Sequence, residues 1–309
     1  VQGSALVTDI LRDNWVLGEG AGISDMDLRR LMVELEQLYF RDYANYWSEA
    51  VGQVALPPIS DAGEGAEQLA GLTSANSPVL ALLTEVRENT RFPAAADPVD
   101  EAGDAADALA GQKGKLGKVG KLASAVADKA SAMAVAKSLP DTAKKSLQRR
   151  FEPLHRLLDD NNGPAADLTP AISALNDLQL QLSGLARSST PEQAAFEMAK
   201  TRMSGQRDAL TNLRAASSRL PRPLSVWFNV LAEDSWRLVL NDAYQYLNGR
   251  YQNELYSVYG KTISKRYPFS ASSTSDVAIS DFREFFRAQG TVDRFFDSYM
   301  RPFVSGDPG

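Results

Sequence analysis

The sequence contains no cysteine and only one histidine among its 309 residues. The lack of cysteine excludes disulfide bonds, cysteine-ligated metals and a cysteine nucleophile. The single histidine, His155, cannot build a multi-histidine metal centre, and no nucleophile-elbow sequence is present to pair with it in a Ser-His-Asp arrangement. Because His155 lies between Leu154 and Leu157 in a helical pattern, we expect it to be structural. We predict no catalytic residue, no metal site and no cofactor.

Long apolar runs, strand patterns and excess positive charge are also lacking. No run of eighteen apolar residues occurs, so we predict no membrane span within the chain. No charged segment followed by an apolar one opens the sequence, so any targeting segment is expected outside it. Apolar and polar residues do not alternate over a strand-length window, and no repeat of fixed period is found. The net charge of −6 makes general nucleic-acid binding unfavourable.

The chain does contain apolar residues spaced three and four apart, which is the pattern of amphipathic helices. Most helix starts are marked by a capping side chain, a first-turn proline, or both. The predicted starts are Ser24, Ser77-Pro78, Asp141, Thr169-Pro170, Thr190-Pro191 and Pro223, with a further short helix over residues 65–72. Thr190 with Gln193 predicts a capping box, and its helix is expected to run on to Leu220. We predict an all-α, multi-helix, bundle-like fold in two lobes.

The middle of the chain has a different composition. Residues 94–111 are rich in alanine, aspartate and glycine, and residues 111–121 read GQKGKLGKVGK. Few large apolar side chains are present there to offset the entropy of ordering, so we expect low local stability and early proteolysis at its lysines. We predict an N-terminal helical lobe over residues 1–92, a low-complexity linker with an Ala-rich helix over 93–139, and a C-terminal helical domain over 140–309.

The glycine-lysine repeat invites comparison with a phosphate-binding loop. Such a loop needs glycines five residues apart, followed by lysine and then serine or threonine. Here Gly111, Gly114, Gly117 and Gly120 lie three apart, and no serine or threonine follows a Gly-Lys pair. A solvated linker is therefore the favoured interpretation.

Two groups of carboxylates also suggest chemistry. Glu152 with Asp159-Asp160, and the pair Glu233-Asp234, could supply the two acids of a glycoside hydrolase. Helix ends and solvated helix faces are commonly rich in such residues, so we expect these acids to be solvated rather than catalytic.

Residues 220–304 concentrate the aromatic side chains, with seven of the ten tyrosines and two of the four tryptophans. Trp227 and Trp236 are nine residues apart and so project on opposite sides of one helix. An unbroken apolar line follows Trp236 at helical spacing, so we predict Trp236 in the core and Trp227 nearer its edge. In the next helix Phe282, Phe285 and Phe286 are expected on one face, with a glycine, Gly290, as the C′ residue that ends it.

These aromatic stripes are most simply core packing, because apolar residues at helical spacing usually face a core. The alternative is an interface, either with a partner or with a second copy of the chain. Arg250-Tyr251 and Lys265-Arg266-Tyr267 mix cations with aromatics in the manner of interfaces.

The order of several short pieces resembles the C-terminal periplasmic region of the IcmF/TssM family, the inner-membrane component of bacterial type VI secretion. The pieces are Tyr43-Ala44-Asn45-Tyr46-Trp47; Ser77-Pro78; Leu220-Pro221-Arg222-Pro223-Leu224 with Trp227; Ser235-Trp236; Tyr259 with Arg266-Tyr267-Pro268-Phe269; Ser275-Asp276-Val277; Asp281-Phe282-Arg283-Glu284-Phe285-Phe286 with Gly290; and Asp293-Arg294-Phe295-Phe296 with Tyr299 and Pro302-Phe303.

The resemblance implies a periplasmic piece of an inner-membrane-anchored protein that acts as a scaffold and not as an enzyme. It further implies partners in the type VI membrane complex, namely an outer-membrane lipoprotein and a second inner-membrane component. The β-rich part by which the family docks the lipoprotein is expected after residue 304. The alternatives are a peptidoglycan-binding or peptidoglycan-cleaving helical domain and a helical peptide-binding adaptor.

Overall fold

The computed structural model describes residues 25–92 and 142–304, and within these ranges the chain is helical without a β-strand. Two isolated bridges, Leu158–Pro164 and Tyr267–Asp276, are the β-type pairings found there. The all-α prediction is therefore confirmed. Ser24, as the first predicted cap, and the predicted linker with its glycine-lysine repeat lie outside the described residues.

The α-helices are α1 (Asp25–Gln53), α2 (Ala62–Thr73), α3 (Pro78–Thr90), α4 (Thr142–His155), α5 (Thr169–Arg187), α6 (Pro191–Met203), α7 (Ala209–Ser217), α8 (Leu224–Arg250), α9 (Ser257–Thr262), α10 (Ile279–Phe286), α11 (Thr291–Phe295) and α12 (Arg301–Val304). A π-helical segment, Tyr251–Tyr256, joins α8 to α9, and a second, Phe296–Met300, joins α11 to α12.

The described residues divide into two compact units, the first formed by residues 25–49, 89–92 and 142–151 and the second by residues 50–88 and 152–304. In the described part of the first unit, the ring of Phe40 on α1 contacts the ring of Phe92 and lies 5.9 Å from the ammonium of Lys144 on α4. The hydroxyl of Tyr43 donates to the carbonyl of Asn89 at 3.0 Å. Aromatic packing thus connects helices distant in sequence.

The core of the second unit is built around α5. This helix buries one apolar stripe at spacings of three and four, comprising Ala171, Ala174, Leu175, Leu178, Leu182 and Leu185. Helices α2 and α7 pack against α5, and α8 packs against both α6 and α7. Each fully buried leucine contributes about 1.5–3 kcal/mol relative to an exposed one. The α5 stripe is therefore a main source of stability for this unit.

The predicted ranking of the two tryptophans in α8 is wrong. Trp227 is buried, and its indole N–H donates to the carbonyl of Val54 at 2.9 Å, whereas Trp236 is half-buried beside the core. The buried stripe of α8 includes Leu224, Trp227, Phe228, Leu231, Ser235, Val239 and Ala243. Trp236 lies one position past Ser235 and so flanks this stripe. The unbroken apolar line after Trp236 was misleading, because the line that is buried runs through Trp227 and includes the polar Asp234, which is itself buried.

The helix that begins at Pro191 also ends sooner than predicted. It stops at Met203, and Gly205 adopts a positive φ of 84° in the connection. Asp208 then caps a new helix, α7, by accepting from the backbone N–H of Thr211 at 2.8 Å. The predicted capping box is wrong as well, because the Thr190 side chain makes no capping hydrogen bond. First-turn proline alone marks that start.

Candidate interaction surface

Two of the acids considered around α4, Glu152 and Asp159, have separate local partners, and Asp160 is exposed. Glu152 forms an ion pair with Arg156 at 2.6 Å. One carboxylate oxygen of Asp159 accepts the backbone N–H groups of Asn161 and Gly163, both at 2.8 Å. His155, in the last turn of α4, is buried. These contacts order the connection between α4 and α5, and they do not arrange the acids as a catalytic pair.

The second group of acids was expected to be solvated, and this is wrong for Asp234, which is buried. Glu233 is exposed, while the buried Asp234 accepts from the guanidinium of Arg237 at 3.2 Å. Across residues 25–92 and 142–304, no group of three or more histidine, aspartate or glutamate side chains is placed to hold a metal ion.

Arg250, which the sequence analysis considered as an interface residue, forms contacts within the chain. Its guanidinium lies 5.1 Å from the centroid of the Tyr246 ring and donates to the Tyr246 hydroxyl at 3.1 Å and to Glu254 at 2.8 Å. The hydroxyl of Tyr299 donates to the same Glu254 carboxylate at 3.3 Å. Burial raises the pKa of Tyr299, as does the neighbouring charge of Glu254. The phenol therefore stays protonated and able to donate.

This network is continuous with an aromatic cluster that packs Tyr299 and Phe303 against the core. The Phe196 ring of α6 contacts the rings of Tyr246, Tyr299 and Phe303 at centroid distances of 5.1, 5.9 and 5.7 Å. Helix α12 accordingly packs against α6, and α11 packs against the π-helical segment 251–256. The helices α11 and α12 are thus packed against the core. Helix α10 packs in turn against α11 and α9.

On α10 and the loop before it lies an exposed group of apolar side chains, which we call the aromatic surface. It consists of Phe269, Ile279, Phe282 and Phe286, whose residue exposures are 43, 72, 44 and 48%. The Phe282 and Phe286 rings are 4.9 Å apart, and the Phe269 ring lies 6.2 and 6.5 Å from them. Aromatic pairs at such distances attract one another, so the rings form one contiguous patch.

The local sequence explains this exposure. Helix α10 has eight residues, and Ile279, Phe282 and Phe286 follow one another at i, i+3 and i+7 on one face. Phe285 lies on the adjoining face, is buried, and contacts the Tyr259 ring at 5.8 Å. The predicted common face of the three phenylalanines is therefore divided, with one ring inside and two outside. The sequence carried a signal for this exposure. The apolar residues of α10 spread over an arc that is too wide for an eight-residue helix to bury completely.

Gly290 has a different role from the predicted one. Helix α10 ends at Phe286, the positive φ of 61° falls on Gln289, and Gly290 has an ordinary φ of −76°. A Cβ on Gly290 would lie 2.5 Å from the carbonyl oxygen of Glu284 and 2.7 Å from that of Arg287. Glycine is required there by the close approach of backbone, which fixes the turn from α10 to α11.

Charged side chains border the aromatic surface. Glu284 accepts from Arg294 at 3.0 Å and pairs with Arg287 at 2.6 Å, and the hydrogen bond from Arg294 lowers the pKa of Glu284. Arg283 is exposed on the same face as Ile279 and Phe286, and no ion pair is formed by it within the described residues. Lys265 and Arg266 likewise form no ion pair within the described residues.

The fold and the surface together define an all-α segment that exposes apolar and basic side chains on α10 and the loop before it. Among the described residues, none of the helices is long and apolar enough to cross a membrane.

Comparison with known proteins finds a family model and several proteins to which the chain is similar. A family model described as "IcmF-related: Intracellular multiplication and human macrophage-killing" matches residues 1–91. The type VI secretion system component TssM1 of Pseudomonas aeruginosa is 24% identical over 298 residues, which cover 96% of this chain and 26% of that protein. The chain is therefore similar to the IcmF/TssM family, and it spans about a quarter of the length of this curated relative.

Solved structures share the fold. A chain of a type VI secretion system membrane core complex aligns with a TM-score of 0.57 at 20% identity, over 88% of this chain and 48% of that one. A chain of a type VI membrane complex aligns with a TM-score of 0.56 at 19% identity, over 86% of this chain and 45% of that one.

Proposed function

We propose that this chain is a structural and interaction segment of a type VI secretion membrane complex. It lies in the periplasm and contributes to the link between the inner-membrane anchor and the outer-membrane lipoprotein, together with the second inner-membrane component. The names of the relative and of the two structural neighbours support the proposal. The observation that carries it is the aromatic surface on α10 and the preceding loop.

Exposed phenylalanine rings in a contiguous patch favour contact with another molecule. Apolar area left in water is unfavourable by about 25 cal/mol for each Å² that a partner would cover. Aromatic residues and arginine are enriched in protein interfaces, and contiguous exposed apolar patches mark them. The patch also rests on a base of packed rings, so little ordering entropy would be lost on binding.

The interaction role is tested in the complete protein that carries this chain. Replacing Phe282 and Phe286 together by serine removes two exposed rings without opening the core, so folding is retained. We expect the purified membrane complex to lose components or to be recovered in much lower yield. Leu180→Ser is the matched control, because Leu180 is 66% exposed on α5, away from the aromatic surface. Equal recovery of both variants would contradict an interaction role for this surface.

The periplasmic location has a separate test. The chain has no cysteine, so a single Leu180→Cys replacement adds one exposed thiol to it. In intact cells with a permeabilised outer membrane, a maleimide that does not cross the inner membrane should label this variant, while the protein without the added cysteine gives the background. Labelling only after the inner membrane is broken would place the segment in the cytoplasm.

The second candidate function is a helical domain that binds or cleaves peptidoglycan. Its support is the inferred compartment, since Glu152, Asp159 and Asp234 have local structural partners. Incubating the chain with purified peptidoglycan, and separately with ATP or GTP, tests the proposal that it is not an enzyme. Turnover that a single aspartate or glutamate substitution abolishes would overturn the scaffold proposal.

A further inference from the structure

We propose that the aromatic surface binds an apolar segment of a partner protein that carries a carboxylate opposite Arg283. The inference rests on the proposed function and adds the chemistry of the partner. It begins from the arginines of residues 279–304. Arg287 and Arg294 share Glu284, and Arg301 pairs with Asp297. Arg283 alone among these four has no carboxylate partner within the described residues.

Arg283 also occupies a distinctive position. On α10, Arg283 follows Ile279 by four residues and precedes Phe286 by three. Its side chain therefore lies on the same helix face as the aromatic surface. A partner that covers the phenylalanine rings would remove water from the Arg283 guanidinium. Burying an unpaired charge is strongly unfavourable, so a partner that binds here must supply an anion. A carboxylate suits the planar, two-pronged donor geometry of arginine.

The charge of the surrounding region points the same way. Residues 257–304 contain seven basic and five acidic side chains, a net charge of +2, whereas the whole chain has a net charge of −6. The carboxylates nearest in sequence do not neutralise Arg283, because Glu284 is already shared by two arginines and Asp281 lies on the opposite side of α10. The aromatic surface therefore lies in a basic end of an acidic chain.

This arrangement favours a protein partner of a different sequence. A symmetric contact between two copies would place the same surface on both sides, so the anion opposite Arg283 would have to come from this surface, where Glu284 is already shared by two arginines. Proteins that recognise an anionic lipid surface usually do so with a cluster of about four to eight basic residues. Here acidic side chains are interspersed with the basic ones, and a single arginine lies within the apolar face. Aromatic rings around one arginine are typical of a protein interface.

The experiment uses a photo-reactive benzoylphenylalanine in place of Ile279, the most exposed residue of the surface, in the complete protein within cells. After irradiation, the attached molecule and the attachment site are identified by mass spectrometry. We expect the site to lie in another protein of the complex, in an apolar segment with an aspartate or glutamate within one helical turn. Attachment to phospholipid, to a second copy of this chain or to a segment without a carboxylate would overturn the inference.

Charge reversal supplies the decisive step. Arg283→Glu should lower the cross-linking yield by about 30-fold or more, as expected when one partner of a buried charge pair is lost. Lysine in place of the mapped carboxylate should restore much of the yield. Arg219→Glu is the control, since Arg219 is exposed and lies outside residues 257–304. An unchanged yield with Arg283→Glu, or no recovery in the double reversal, would overturn the inference.

Failure of this inference is distinguishable from failure of the proposed function. If complex assembly needs Phe282 and Phe286 but is indifferent to Arg283→Glu, the surface binds a partner without the predicted carboxylate. If assembly is indifferent to both changes, the interaction role of the surface is itself wrong.

Discussion

Replacing each tryptophan of α8 by alanine tests the packing of the second unit most sharply. Trp227 is 6% exposed, and its indole N–H donates to the Val54 carbonyl at 2.9 Å. Truncating a buried tryptophan to alanine costs about 3–5 kcal/mol. For a cooperative unit of this size, 1 kcal/mol corresponds to a change in Tm of about 2–4 °C. Trp227→Ala should therefore lower Tm by about 6–20 °C.

Trp236 should matter less, because it is half-buried beside the core and the guanidinium of Arg202 lies 4.8 Å from its ring centroid. An exposed cation–π contact contributes about 0.5–1 kcal/mol. With the partial loss of packing we expect a total of about 1–2 kcal/mol, a change in Tm of about 2–8 °C. Thermal unfolding of the two variants, followed by far-UV circular dichroism, gives the comparison. A loss for Trp236→Ala equal to or greater than that for Trp227→Ala would refute this account of α8.

Three further substitutions test local features. Gly249→Ala should raise the free energy of unfolding by about 0.5–1 kcal/mol, because Gly249 is inside α8 and an added Cβ meets nothing within 4 Å. Gly290→Ala should lower it by about 1–3 kcal/mol, because its Cβ would strike two carbonyl oxygens. Urea unfolding measures both, and a stabilising Gly290→Ala would contradict the turn geometry described. Burial raises the pKa of the Asp208 carboxyl, but hydrogen bonds from Thr211 and Arg202, with the charge of Arg202, outweigh it and leave the pKa below its usual value. Asp208→Asn should therefore be less stable than the parent above the unfolded-state pKa of about 4, and the two should converge as the pH falls through the lower folded-state pKa. A stability difference that persists at strongly acidic pH would refute the ionic contribution.

Much of the helical order could be predicted from local signals. Helix α3 begins at Pro78, α5 at Thr169 and α6 at Pro191, where proline and small polar residues mark the starts. These signals act within a few residues of the chain, so a single sequence carries them. The break between α6 and α7 was missed. It is stabilised by an ion pair between Arg202 and Asp208, 2.6 Å apart, and the spacing of apolar residues gives no information about such a contact.

The interaction surface was predictable only in its composition. The density of aromatic rings in residues 220–304 is evident, and so is their helical spacing. Which rings face water depends on how many other elements surround each helix. Phe196 is covered by three rings from distant segments, whereas Phe282 and Phe286 contact each other, Phe269 and, for Phe286, the neighbouring Phe285. Tertiary neighbours, and not spacing, decide that outcome.

The most direct test of the interaction role is the accessibility of the aromatic surface inside the assembled complex. Ile279→Cys and Leu180→Cys each place one thiol at a strongly exposed position, the first on the surface and the second on α5. Both should react with maleimide at similar rates in the separated protein. In the purified membrane complex, we expect Ile279→Cys to react at least about tenfold more slowly, as for a site covered by a bound partner in at least nine-tenths of molecules. Leu180→Cys should serve as the reference. Undiminished labelling of Ile279→Cys in the intact complex would contradict the claim that this surface binds a partner there.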